Sequence, residues 1–169
     1  MTRKTRDEYY LDLAFAAAAR STCPRASVGA VLTMDGSLVS TGYNGAPRGL
    51  PHCDDDQVGC AIIHDGERDR CIRSVHAEVN AILQASRRGD IAGATLYSTH
   101  LPCLECAKII INVGVKRVVY QTEYRDILVD KVLVYPWRSR PRGGVDEFLR
   151  FARVLVARIE PPKSQLENS

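Results

Sequence analysis

Two pieces of the sequence decide the fold: VHAEVN at residues 75–80 and LPCLEC at residues 101–106. Within them, His76, Cys103 and Cys106 form a complete set of three zinc ligands, and a hydrolytic zinc site keeps its fourth position open for water. Two thiolates and a neutral imidazole balance the charge of a divalent ion. The pieces therefore predict a zinc site that activates water.

An acidic residue, Glu78, lies two positions beyond His76. A carboxylate beside such a metal can take a proton from the water and deliver it to a leaving group. We therefore predict that Glu78 is the catalytic general acid and base.

Helix signals indicate how these residues meet. Cys103 and Cys106 are three residues apart, which places both sulfurs on one side of the first turn of a helix. Pro102 is predicted at the first position of that helix, where its missing N–H costs nothing. A second helix is predicted to begin at His76 because an apolar face follows at three- and four-residue spacing. That face comprises Val79, Ile82 and Leu83, together with Ala81 and Ala85.

Each half of the pattern is weak evidence by itself. A C-x-x-C pair is as often a redox pair or half of a structural zinc site, and H-x-E on a helix is usually a surface sequence. The alternative for the two motifs together is a structural zinc site, a zinc staple that catalyses no reaction. A purely structural site requires a fourth protein ligand and no neighbouring carboxylate, so the hydrolytic interpretation is favoured.

Composition limits the class of protein. The chain has 169 residues, which suits one domain, predicted over 1–160 with a tail at 161–169. A net charge of +3 falls short of the basic surface of a nucleic-acid-binding protein, so no stable nucleic-acid binding is expected. No apolar run predicts a membrane span or a signal peptide, and we expect a cytoplasmic protein.

The N-terminal half predicts a helix followed by a hairpin. Thr5 and Glu8 have capping-box spacing ahead of an alanine-rich helix over 9–20. Strands over 27–32 and 38–43 flank an Asp-Gly turn. Residues 44–74 lose periodicity and are predicted to form a polar loop.

The C-terminal half predicts alternating strands and helices. Strands over 95–99 and 116–121 flank the Cys103 helix, which indicates a parallel pair with a helical crossover. Residues 127–135 fit either a strand or a helix, 145–152 a helix, and 154–159 a last strand.

The order H-x-E and then P-C-x-x-C is the signature of zinc nucleobase deaminases. The chain resembles one branch specifically, the deoxycytidylate (dCMP) deaminase family with its competence-operon relatives. The segments that carry this resemblance are CPRASVGA at 23–30, GYNGAP at 42–47, HAE at 76–78 and PCLECAK at 102–108.

This resemblance implies a three-layer α/β/α cytidine deaminase-like fold with a mixed central sheet of about five strands. It also implies zinc-dependent hydrolysis of dCMP to dUMP and ammonia in pyrimidine deoxynucleotide metabolism, by a homo-oligomer, a hexamer or a dimer. The alternatives are a deaminase of another cytosine nucleotide or modified cytosine, and a non-catalytic zinc-stapled interaction protein.

The resemblance also assigns substrate contacts. Asn44 resembles the residue that contacts the sugar, Arg25 one beside the 5′-phosphate, and Tyr124 a residue that closes over the nucleotide. The backbone of Ala77 would face the base carbonyl. Asn44 could instead be a turn residue, Arg25 a solvated arginine, and Tyr124 a core or rim tyrosine. Many members respond to dCTP and dTTP near the segment that matches 42–45 here, which makes these nucleotides candidate effectors.

Four cysteines remain outside the first metal site: Cys23, Cys53, Cys60 and Cys71. Four thiolates would form a closed structural zinc site that ties the long loop to the first helix, and some relatives carry a second zinc here. Nearby substitutes as ligands are His52, His64 and His100. The alternative is that these cysteines are buried free thiols.

Overall fold

The computed structural model describes residues 3–64, 69–123, 149–150 and 154–160. Helix α1 spans Arg6–Ala18, and the capping box between Thr5 and Glu8 is present. The helix therefore begins three residues earlier than the predicted start at Tyr9, because Thr5 already pairs with the N–H group of Glu8.

One five-stranded sheet forms the centre of the fold. Its strands are β1 (Gly29–Met34), β2 (Ser37–Tyr43), β5 (Thr95–His100), β6 (Arg117–Thr122) and β7 (Leu155–Arg158). They lie side by side in the order β2-β1-β5-β6-β7. Strand β1 pairs antiparallel with β2 and with β5. The β5–β6 and β6–β7 pairs are parallel. The sheet is therefore mixed, and the predicted parallel pair around a crossover helix is confirmed.

Helices cover both faces of this sheet. Helix α2 spans Ala77–Ser86 and α3 spans Leu104–Asn112. On one face, α1 packs against Val31, Tyr97 and Val119. On each strand, the residue adjacent to the one that contacts α1 faces α2 and α3 on the other side of the sheet. These residues are Leu32, Leu96 and Val118. The three central strands are thus apolar on both faces, as in a sheet that is covered on both sides. The predicted three-layer α/β/α architecture is confirmed.

Two glycines set the spacing of the layers. A Cβ atom added at Gly29 would lie 1.9 Å from the carbonyl oxygen of Ala14 in α1. A Cβ atom added at Gly42 would lie 2.2 Å from the carbonyl oxygen of Ala77 in α2. At these two points the helix backbone itself contacts a strand. In α2 the buried residues include Ala81, Ile82 and Ala85, whereas Leu83, predicted to face the core, is 56% exposed.

Residues 44–74 were predicted to be a loop, and this prediction is wrong in part. Strands β3 (Ile62–His64) and β4 (Asp69–Cys71) form a separate two-stranded antiparallel sheet there. Three-residue strands are too short to give a detectable alternating pattern.

Several predictions lie outside the described residues. They concern the element over 127–135, most of the helix over 145–152, Tyr124 and the tail at 161–169. The single domain over 1–160 stays a prediction. In the described ranges, none of the helices has the length and apolar character needed to cross a bilayer.

Candidate metal and nucleotide site

The ends of two helices carry the candidate ligands. His76 is the N-cap of α2 and Cys103 is the N-cap of α3, both with extended backbone and without a side-chain capping bond. Their side chains are therefore free to point away from the helix axis. Pro102 precedes the N-cap, so its predicted place at the first helical position is wrong. The helix starts two residues later, at Leu104, because Cys103 is its N-cap.

The three ligand atoms converge. The Nδ1 atom of His76 lies 3.3 Å from the Sγ atom of Cys103 and 3.3 Å from that of Cys106. All three atoms lie within 4.8 Å of one another. Among the described residues no fourth ligand belongs to this group. The arrangement therefore has the donor set of a zinc site with one open position.

The charges of the two thiols support this fit. The Cys106 thiol and His76 hold the pKa of the Cys103 thiol well below its ordinary value. The interaction with Cys103 and burial raise the pKa of Cys106. The two pKa values move in opposite directions because the two sulfurs lie against each other. A divalent ion bound here would stabilise both thiolates.

Glu78 lies beside the ligands on the first turn of α2. It is 3% exposed, and its Oε2 atom lies 3.7 Å from the Sγ atom of Cys106. Burial, and next the neighbouring Cys103 thiolate, raise the pKa of the Glu78 carboxyl group. A carboxyl group that is easily protonated suits proton transfer in both directions.

A cavity of about 380 Å³ opens onto these residues. It is lined by His76, Ala77, Glu78 and Cys103 at the metal end. Its other lining residues include Cys23, Arg25, Val28, Asn44, Asp69, Arg70, Cys71, Ser74, His100 and Leu101. The volume falls in the range of small-molecule sites.

Asn44 lines the cavity, but most of its amide is already bonded. Its Oδ1 atom accepts hydrogen bonds from Ser21 Oγ at 2.7 Å and from the backbone N–H of Val28 at 2.8 Å. Its Nδ2 atom donates to the carbonyl oxygen of Ala26 at 2.8 Å. One amide hydrogen remains for a ligand. The main structural role of Asn44 is therefore to hold residues 21–28 in position through these hydrogen bonds.

Arg25 and Ala77 also line the cavity. Arg25 is exposed, and its guanidinium donates to the carbonyl oxygen of Asp69 at 2.7 Å. This bond ties residues 23–28 to β4. Ala77 is fully buried as the first residue of α2, so its backbone N–H has no partner within the helix. Tyr124 lies outside the described residues.

A second group of sulfurs lies near the cavity. The Sγ atoms of Cys53, Cys60 and Cys71 lie within 4.8 Å of one another, and those of Cys53 and Cys71 are 4.0 Å apart. Cys23 falls outside this tight group. Burial first, and then the neighbouring Cys71, raise the pKa of Cys60. Among the substitutes, His64 pairs with Asp69.

Sequence reasoning missed three cavity residues: Arg70, Ser74 and His100. His100 was considered only as a substitute ligand for the second metal. Its position directly before Leu-Pro-Cys on β5 was the available signal, because the carboxyl end of a parallel strand faces the site. Arg70 and Ser74 gave no signal, since they follow a segment without periodicity.

Comparisons with known proteins agree with this geometry. Residues 4–122 match the family model described as the cytidine and deoxycytidylate deaminase zinc-binding region. The chain is 44% identical over 126 residues to ComE operon protein 2 of Bacillus subtilis, covering 74% of this chain and 64% of that protein. It is 44% identical over 129 residues to the deoxycytidylate deaminase of Mycobacterium phage D29, covering 73% of this chain and 99% of the phage protein.

A solved structure extends the match. The dCMP deaminase of cyanophage S-TIM5 in complex with dCMP and dUMP aligns with a TM-score of 0.70 and 26% identity. The alignment covers 94% of this chain and 100% of the phage chain. The fold and the site define a zinc-binding nucleobase deaminase domain. The chain belongs to the cytidine and deoxycytidylate deaminase zinc-binding family.

Proposed function

We propose that this protein hydrolyses dCMP to dUMP and ammonia, with zinc held by His76, Cys103 and Cys106. One observation carries the proposal: these three ligand atoms and the buried carboxyl group of Glu78 converge at one end of a nucleotide-sized cavity. The deoxycytidylate deaminase of phage D29 and the dCMP complex of the S-TIM5 enzyme support the choice of substrate.

The residues of the chain divide the reaction between them. Zinc, when bound, supplies a positive charge that makes a water molecule a better nucleophile. Glu78 takes a proton from that water as its oxygen bonds to C4 of the pyrimidine. Glu78 delivers that proton to N3. It then takes the second proton from the hydroxyl group now on C4 and delivers it to the amino nitrogen, which leaves as ammonia when the C4–N4 bond breaks. The backbone N–H of Ala77 donates to the base carbonyl oxygen.

The rest of the nucleotide lies against the part of the cavity lined by Arg25 and Arg70. Arg25 binds the 5′-phosphate, and Arg70 adds a second positive charge. The free amide hydrogen of Asn44 is available to a sugar hydroxyl. Tyr124 stays a prediction for closure over the nucleotide.

A non-catalytic zinc protein is the contrasting function. It would require a fourth protein ligand at the first metal, and in the described ranges the group has three. The buried carboxyl group of Glu78 would also have no role in a structural staple. Both features favour hydrolysis.

A substrate panel tests the proposal. The zinc-loaded protein is mixed separately with dCMP, CMP, deoxycytidine and single-stranded DNA, and product is measured by chromatography together with released ammonia. We expect the highest kcat/KM for dCMP. A higher value for CMP, nucleoside or DNA would identify a different deaminase, and no turnover of any of them would leave the non-catalytic function.

We also propose that Cys53, Cys60 and Cys71, with Cys23 as the fourth ligand, bind a second, structural zinc ion. The 4.0 Å separation of the Cys53 and Cys71 sulfurs is close to that expected of two thiolates on one tetrahedral ion. Burial raises the pKa of Cys53 to about 11, so this thiol would stay protonated unless a cation binds. Elemental analysis should find two zinc ions per chain, and a value of one would remove this proposal.

Three further properties stay predictions: a homo-oligomer, hexamer or dimer; control by dCTP and dTTP; and a cytoplasmic location. The segment at 42–45, which suggested effectors, also has a role in the fold, since Gly42 permits close approach of α2. Titration of dCMP turnover with each nucleotide, and light scattering, test the first two.

A further inference from the structure

His100 lies in the cavity without a role in the reaction described above. It is the last residue of β5 and precedes the ligand Cys103 by three residues. Three residues of chain span at most about 11 Å, so His100 lies at the metal end of the cavity. The two arginines belong to other lining segments, at residues 25 and 70.

The hydrogen bonds of Thr99 determine which nitrogen of His100 carries the proton. Thr99 is fully buried, and its Oγ1 atom accepts a hydrogen bond from the backbone N–H of Gly29 at 3.2 Å. The same oxygen lies 3.0 Å from Nδ1 of His100. Because this oxygen already accepts a bond from Gly29, its hydroxyl hydrogen can be directed at Nδ1, an arrangement that places the ring proton on Nε2.

The other ring nitrogen is left for a ligand. Nε2 of His100 has no hydrogen-bond partner in the described part of the chain. It is also not one of the buried side-chain atoms that lack a partner, so it is accessible. It therefore has access to the cavity. Burial lowers the pKa of the His100 imidazole, which keeps the ring neutral near pH 7. A neutral N–H group is a good partner for a base carbonyl or sugar oxygen and a poor one for a phosphate dianion.

We propose that His100 is a substrate-binding residue that donates its Nε2 hydrogen to the nucleoside part of the nucleotide, with its tautomer set by Thr99. This inference rests on the proposed function, because it takes the cavity as the nucleotide site. Gly29 holds Thr99 in place, and Gly29 is itself fixed by its contact with α1. The donor is thus positioned before substrate binds.

Nitrogen-15 NMR tests the tautomer without any catalysis. The chain has four histidines, which makes assignment simple. We expect Nε2-protonated His100 in the zinc-loaded protein, retained in Thr99→Ser and converted to a mixture in Thr99→Val. Protonation at Nδ1 in the unaltered protein would overturn the inference, even if dCMP turnover is normal.

Kinetics test the contact. His100→Leu removes the donor, while His100→Gln keeps an N–H group near the position of Nε2. We expect His100→Leu to raise KM for dCMP about five- to tenfold, the value of one hydrogen bond, with kcat changed by less than about twofold. His100→Gln should recover most of the loss. Inhibition by inorganic phosphate should be the same in all three proteins.

Two other results of these experiments would contradict the proposed role of His100. An unchanged KM in His100→Leu, or weaker inhibition by inorganic phosphate, would overturn the inference and leave the proposed function intact. If the unaltered protein turns over no dCMP, the proposed function itself fails, and the NMR result still stands alone.

Discussion

The two cysteine groups of this molecule are built in different ways. His76, Cys103 and Cys106 lie at the first turns of two helices that are packed on a five-stranded sheet. Cys53 and Cys71 lie on or beside a two-stranded sheet of three-residue strands. The first group depends on the core for its shape. The second has little core of its own and, by our proposal, depends on a metal.

The chemistry of the two groups differs in the same sense. The first combines one nitrogen with two sulfurs and has a buried carboxyl group alongside. The second consists of sulfur atoms alone. An open site with a neighbouring acid suits reaction, whereas a closed sulfur site suits structure. The hairpin of the second group nevertheless forms one wall of the cavity, so the structural site should affect substrate binding.

The largest expected effect is that of Glu78→Gln. The change removes the proton carrier and keeps the size of the side chain. We expect kcat for dCMP to fall by at least about 10³-fold, because general acid–base catalysis contributes about that much. Zinc content should be unchanged. Glu105→Gln, on the exposed surface of α3, is the matched control and should keep full activity. Turnover within tenfold of normal in Glu78→Gln would remove the assigned role.

Serine substitutions separate the two groups. Cys103→Ser should lose one zinc per chain and all measurable turnover. Cys53→Ser should also lose one zinc, yet it should raise KM for dCMP several-fold while kcat falls less, because Asp69, Arg70 and Cys71 form a cavity wall. Elemental analysis and steady-state kinetics measure both. If Cys53→Ser loses no zinc, the second group is a set of free thiols.

Glycine substitutions test the contact between helix and sheet. Both Gly29→Ala and Gly42→Ala place a methyl group on a strand where it overlaps the backbone of the facing helix. Each should lower the free energy of unfolding by about 1–3 kcal/mol. Only Gly42→Ala displaces the start of α2, so only this change should lower kcat through His76 and Glu78. Equal kcat in the Gly29 and Gly42 variants would contradict the account.

The smallest effect concerns an ion pair far from both groups. Arg117 makes two hydrogen bonds of 2.7 Å to Asp7 and joins α1 to β6. Arg117, working against partial burial, lowers the pKa of Asp7. A carboxyl group whose pKa is lowered by folding stabilises the protein above its unfolded pKa, near 3.8, and loses that contribution as pH falls through the folded value.

Asp7→Asn should therefore cost about 1 kcal/mol at pH 7 and progressively less as the pH falls below about 4. Urea unfolding at several pH values measures this. The zinc content of both groups should stay constant. A cost that grows toward low pH would contradict the assigned direction.

The sequence predicted the first group well and the second only in part. His76, Glu78 and the two cysteines have fixed spacing on helix starts, and helix starts have strong local signals. The strands from 95 and 116 were predicted within one residue, because each has a short apolar segment that contains Leu96-Tyr97 or Val118-Val119-Tyr120. The hairpin at 62–71 was missed because its strands depend on pairing and on the cysteines rather than on an apolar pattern.

The buried faces of the helices were the least predictable part. Leu83 looked like a core residue, but α2 packs through Ala81 and Ala85 against a strand with a glycine. Close backbone approach favours small residues, and hydrophobic periodicity alone does not reveal it. His100 was considered only as a substitute ligand for the second metal, although its position directly before Leu-Pro-Cys at the end of β5 pointed to the cavity.

The most direct measurement is zinc X-ray absorption on Cys53→Ser protein that holds one zinc per chain. The account predicts two sulfur ligands at about 2.3 Å and two light-atom ligands at about 2.0 Å, one of them an exchangeable water that is displaced when dUMP or an analogue binds. A shell of four protein ligands, or of four sulfurs, would show a closed site and contradict the central claim that this centre activates water beside Glu78.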